Sequence, residues 1–92
     1  MSLTREELLA LRDSKVRKVS VPDWGEVCLR SITAGERLAF DALHDKDKGE
    51  AVLAMVTMSL CDEQGQALLK YPEEVDIIRN KGARAVALLY LQ

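Results

Sequence analysis

Apolar residues follow two different periods along this chain. Val19 and Val21 alternate with Lys18 and Ser20, and Val27 and Leu29 alternate with Glu26, Cys28 and Arg30. A period of two is the pattern of a half-buried strand. Between the two runs lies Pro22-Asp23-Trp24-Gly25. Proline fixes one φ angle and glycine can take a positive one, so the chain can reverse there. With a loop over 22–26, Val21 would face Val27 and Val19 would face Leu29. All four aliphatic side chains then share one side of the ribbon. The spacing predicts a β-hairpin at about 16–32. An isolated hairpin is marginal in water, so helices must cover its apolar face.

Helical spacing brackets the hairpin. Thr4 and Glu7 fit a capping box, and Leu8, Leu9 and Leu11 give a short apolar face before Asp13-Ser14 ends it. A second capping box, Thr33 to Glu36, precedes Leu38, Ala39, Ala42 and Leu43, with Phe40 set to one side and the helix running to about His44. After the polar connector 45–49, residues 50–61 are apolar except for Glu50, Thr57 and Ser59. A helix of that character must be buried nearly all round. Asp62-Glu63-Gln64-Gly65 reads as a turn. Tyr71-Pro72 opens a further helix, with Glu73 and Glu74 in the first turn, where the dipole favours acids. Asn80-Lys81-Gly82 breaks it, and a last helix over 83–91 is again apolar nearly all round. The expected fold class is α+β: a short N-terminal helix, one β-hairpin, then a mainly helical C-terminal part of about four helices. No linker or repeat divides 1–92, which reads as a single small domain. Val19, Val21, Val27, Leu29, Leu38, Leu43, Val52, Leu53, Val56 and Leu60 are the expected core.

Composition narrows the function. Apolar residues make up 48% and charged residues 30%, too apolar for a disordered chain. Lys plus Arg is 13 against 15 Asp plus Glu, a net charge of −2. That balance lacks the basic excess of a nucleic-acid binder. The one basic cluster, Arg12, Lys15, Arg17 and Lys18, is short and offset by acids elsewhere. The longest apolar run, Ala85 to Leu91, falls far short of the roughly 18 residues a membrane span needs. The charged opening, Met1 to Glu7, has no signal core. Cys28 and Cys61 match no metal or redox spacing and fit free thiols in a reducing cytoplasm.

The sequence carries no enzyme signature. Its single histidine, His44, falls at a helix end, where the dipole favours it. Asp45-x-Asp47-x-Gly49 misplaces the glycine of a calcium loop, and Val56 stands where the bidentate Glu is required. The pairs Glu6-Glu7 and Glu73-Glu74 compensate helix dipoles. No catalytic, cofactor-binding or metal-binding residue is expected. What stands out is apolar surplus: helices 51–61 and 83–91 are more than so short a chain can enclose, and such patches mark protein contacts. Trp24, at the hairpin tip, either folds back over the domain or serves as an exposed anchor. Trp24, Phe40, Met55, Met58, Leu88, Tyr90 and Leu91 are the expected partner-binding residues, and self-association to a homo-oligomer is expected.

The stretch Val19-Ser-Val-Pro-Asp-Trp-Gly25, then Val27-Cys-Leu-Arg30, then Ile32-Thr-Ala-Gly-Glu-Arg37 and Phe40, resembles the tail assembly chaperones of long-tailed bacteriophages and prophages. That family has a V-x-V-P-E/D-W-G hairpin followed by a V-R-x-L-T/S-G-x-E-R-x-x-F strand-to-helix segment. The opening Leu-Thr-Arg-Glu and the acidic turn Cys61-Asp-Glu-Gln-Gly65 are also similar. The resemblance runs from about Leu3 to Leu69. It departs at Glu26, where a second glycine is expected, and at Ala34-Gly35, where the glycine is displaced by one.

The resemblance implies a protein that coats the helical tape measure protein during tail building, keeps it soluble, and brings it to the major tail protein. It implies residence in the host bacterial cytoplasm and absence from the mature virion. It also implies that this chain can be the short form of a frameshifted pair. The alternative is a structural minor tail or head–tail joining component that stays in the particle.

Overall fold

In a computed structural model, which describes residues 2–92, the hairpin is formed by β1 (Val16–Val21) and β2 (Gly25–Arg30). Its register pairs Val19 with Val27 and Val21 with Gly25, two residues away from the expected pairing. The turn is the reason. Trp24 N–H donates to the Val21 carbonyl at 3.1 Å, closing a corner with Pro22 and Asp23 in the middle. Asp23 adopts φ 72° and Gly25 φ 89°, so the loop tightens to Pro22-Asp23-Trp24. A slip of two preserves the alternation, and the valines and Leu29 still share one face.

Among the described residues five helices complete the α+β fold: α1 (Arg5–Ala10), α2 (Ala34–Lys46), α3 (Lys48–Ser59), α4 (Val75–Arg79) and α5 (Ala83–Tyr90). Both expected capping boxes close, Thr4 with Glu7 and Thr33 with Glu36. Several boundaries differ from expectation. The polar connector expected over 45–49 shrinks to Asp47, since the Asp47 side chain accepts from Glu50 N–H and caps α3 while its own N–H closes α2 on the Leu43 carbonyl. The helix expected to reach residue 61 stops at Ser59, and Leu60–Cys61 becomes a third strand, β3, paired with Leu29 and Cys28 of β2. That pairing satisfies backbone groups on an otherwise open strand edge. Pro72 does not sit in a first helical turn. The Glu74 carboxylate accepts from Lys70 N–H at 2.7 Å, and Glu74 N–H donates to the Lys70 carbonyl at 2.8 Å. Residues 71–74 are thereby held in a turn, and α4 begins at Val75.

The core has two lobes with α3 between them. On one side Val56 and Leu60 meet Val21 and Leu29 of the hairpin, Ile78 of α4, and Val86 and Leu89 of α5. On the other, Ala51, Ala54 and Met58 meet Phe40 of α2. Val19, Val27, Val52 and Leu53 are half-buried against the first lobe, and Leu43 against the second. Leu38, an expected core residue, is 71% exposed, and Phe40 takes the buried place. The rotation of α2 explains the exchange. Glu36 at its N-terminus is held by Arg30 of β2, with Nη1···Oε1 at 3.0 Å and Nη2···Oε2 at 2.7 Å. Phe40 and Leu43 lie one and two turns further along the same side, and Leu38 points away. The last helix is enclosed on one side only: Val86 and Leu89 face inward while Arg84 and Ala87 are exposed. The first helix, α1, buries no residue.

Leu60→Ala should destabilise the fold by about 2–4 kcal/mol, whereas Leu38→Ser should change stability by less than about 0.5 kcal/mol. Urea unfolding of both variants against the parent checks the pair. The Arg30 guanidinium holds the Glu36 carboxyl below its ordinary value of 4.5. A carboxyl with a lowered folded-state pKa contributes fully above the ordinary value and loses that contribution as pH falls through the lowered one. Glu36→Gln should therefore reduce stability at neutral pH and flatten its decline below pH 4.5. Thermal melting across an acid series reads both effects.

Candidate functional site

The Arg30–Glu36 pair fixes where α2 leaves the sheet, and its side chains are only 13% and 25% exposed. Glu36 Oε1 also accepts from Thr33 N–H at 2.8 Å, so one carboxylate caps α2 and anchors it to β2. A groove of about 500 Å³ opens between the end of β2, α2, α3 and the C-terminal end of α5. Phe40, Met55, Tyr90 and Leu91 give it an apolar lining. The Phe40 and Tyr90 rings lie 6.4 Å apart at 38°, and the His44 ring lies 5.6 Å from Phe40, tilted by 40°. Arg17, Arg30 and Arg37 also line the groove, and no Asp or Glu side chain does. Arg37 pairs with Asp41 at 3.1 Å in an exposed helical pair. Arg17 donates to the Gln92 carbonyl.

A second cleft of about 520 Å³ lies at the opposite end of α5, lined by Pro22, Asp23, Trp24, Arg84, Ala85 and Leu88. Trp24 is half-buried and packs against the first core lobe, so the hairpin tip folds back onto α5. A third depression of about 500 Å³ has Met58 at its base beside Leu69 and Tyr71.

The seven expected partner-binding residues are therefore divided among three places. Phe40, Met55, Tyr90 and Leu91 come together in the groove, Trp24 and Leu88 in the cleft, and Met58 lies alone in the depression. Their accessibility differs. Leu91 is 79% exposed, whereas Phe40 and Met58 are buried core residues that reach a surface only as its floor. Sequence reasoning did not foresee the arginine lining. The motif segment holding Arg30 and Arg37 was its only signal, since the groove itself forms by convergence of distant elements.

Among the described residues no group of three or more His, Cys, Asp or Glu could hold a metal ion. Cys28 and Cys61 are free and face each other across β2 and β3, and burial pushes the Cys61 thiol upward. No described helix is long and apolar enough to cross a membrane.

No protein-family model and no curated protein matches the sequence. Among solved structures, the tail assembly chaperone of bacteriophage HK97 is similar, with a TM-score of 0.66 and 22% identity, covering 98% of this chain and 94% of that one. At that identity the likeness establishes a shared fold, and it extends over nearly the full length of both chains.

Proposed function

We propose that this chain is a non-enzymatic phage tail assembly chaperone. It binds the tape measure protein in the host bacterial cytoplasm, keeps it soluble, delivers it to the major tail protein, and is absent from the mature virion. The observation that carries this reading is the near full-length fold likeness to the HK97 tail assembly chaperone. The Val-Ser-Val-Pro-Asp-Trp-Gly hairpin supports it, since that motif builds the tip packed on α5.

The surface suits the task. An amphipathic helix presents one apolar stripe, and a protein that shields it needs an apolar groove with a charged border. The groove of Phe40, Met55, Tyr90 and Leu91 has that character, and the Trp24–Leu88 cleft adds a second apolar contact along α5. Such a surface acts by covering apolar area, and no bond-making group is required.

Co-expression with the tape measure protein of the same phage tests the proposal. The parent chain should raise the soluble fraction of tape measure protein and be missing from purified tails. Leu91→Asp, at an exposed groove position, should lower that fraction by about tenfold while leaving the chain's own melting unchanged. A chain found in finished tails that fails to solubilise the tape measure protein would establish the structural-component alternative.

A further inference from the structure

Helix α1 is well capped and buries no residue. Thr4 Oγ1 accepts from Glu7 N–H at 3.2 Å, and Glu7 returns the bond to Thr4 N–H at 3.1 Å. Yet Leu8, Leu9 and Leu11 are 58%, 70% and 52% exposed. A helix this short is marginal in water, and caps alone do not hold it. Two exposed leucines on such a helix, with a third at its C-cap, call for cover.

The groove between α2, α3 and α5 has the complementary character. Phe40, Met55, Tyr90 and Leu91 form its apolar side, and its charged side chains are all arginines, with Arg30 held by Glu36 and Arg37 shared with the exposed Asp41. The α1 helix places Glu6 and Glu7 in its first turn beside its leucines. Glu6 lies one turn before Leu9, so a carboxylate can reach an arginine when that leucine enters the groove. The helix does not take its own groove. Ser14 and Lys15 are pinned to Ser31 at 3.3 and 3.1 Å, and the cap residue Leu11 is extended, which directs α1 away from the body.

We propose that α1 of a second copy of this chain fills the groove, with its leucines on Phe40, Met55 and Leu91 and Glu6 against Arg17 or Arg37. A partner helix that used the same groove, as proposed above, would compete with α1, so partner capture would release one copy from the other. Only this competition rests on the tail-protein reading; the α1 contact itself is tested on the chain alone.

Sedimentation velocity over a wide concentration range should show self-association of the parent. Leu8→Ser with Leu9→Ser should weaken it by at least about tenfold, and so should Arg37→Glu with Leu91→Ser. Neither pair touches a buried residue, so thermal melting of the dilute chain verifies folding. The two variants mixed should associate again, because one retains the helix and the other the groove. A photo-crosslinking residue in place of Leu9, in an isotope-labelled chain mixed with unlabelled chain, should join labelled to unlabelled protein at Tyr90 or Leu91. A strict monomer, association indifferent to both variant pairs, or crosslinks confined within one chain would each overturn the proposal. A chain that solubilises the tape measure protein but never self-associates would remove this inference and leave the functional reading intact.

Discussion

The fold turns on a single carboxylate. Glu36 accepts from the Thr33 backbone and from both terminal nitrogens of Arg30, so it starts α2 and also joins it to the end of β2. A capping box alone would begin a helix without choosing which side meets the core. The bidentate arginine makes that choice, since planar two-point pairing fixes orientation as well as distance. From that orientation Phe40 turns inward, where it also lines the groove, and Leu38 outward.

The second constraint is α3, which carries both core lobes on one helix. Small residues make this possible: Ala51 and Ala54 are fully buried and let α2 approach closely, while Val52, Leu53 and Val56 fill the wider space toward the hairpin, α4 and α5. Its polar side chains are absorbed locally. Thr57 Oγ1 donates to the Leu53 carbonyl and Ser59 Oγ to the Met55 carbonyl, each at 2.7 Å, so a buried hydroxyl is not left unpaired. On the exposed side Arg79 of α4 bridges Asp76 and Glu50, which ties the short fourth helix to the third.

With α3 enclosed, the remaining apolar residues have nowhere inside to go. The surplus appears along α1, at Leu91 beside the groove's arginines, and at scattered positions such as Leu38, Leu68 and Ile77, and α1 carries an acidic first turn. A chain of this size buries a limited share of its surface. Its leftover leucines lie on the surface, where other chains can cover them.

Local order was legible in the chain because its causes are local. The hairpin rests on alternation and on Pro22 and Gly25, and the capping boxes at Thr4 and Thr33 each involve residues three apart. The resemblance also rested on such short-range patterns. What only the tertiary structure decided is whatever depends on meeting distant residues. The hairpin register moved by two because the corner at Asp23 tightened, a change alternation cannot register since it preserves every face. Leu60 and Cys61 left the helix because β2 offered an open edge. Phe40 replaced Leu38 because Arg30, in another element, set the rotation of α2. The groove was visible only as apolar surplus in single helices. Its shape and its arginines exist only where β2, α2, α3 and α5 converge, and no periodicity along one segment encodes the distance between segments.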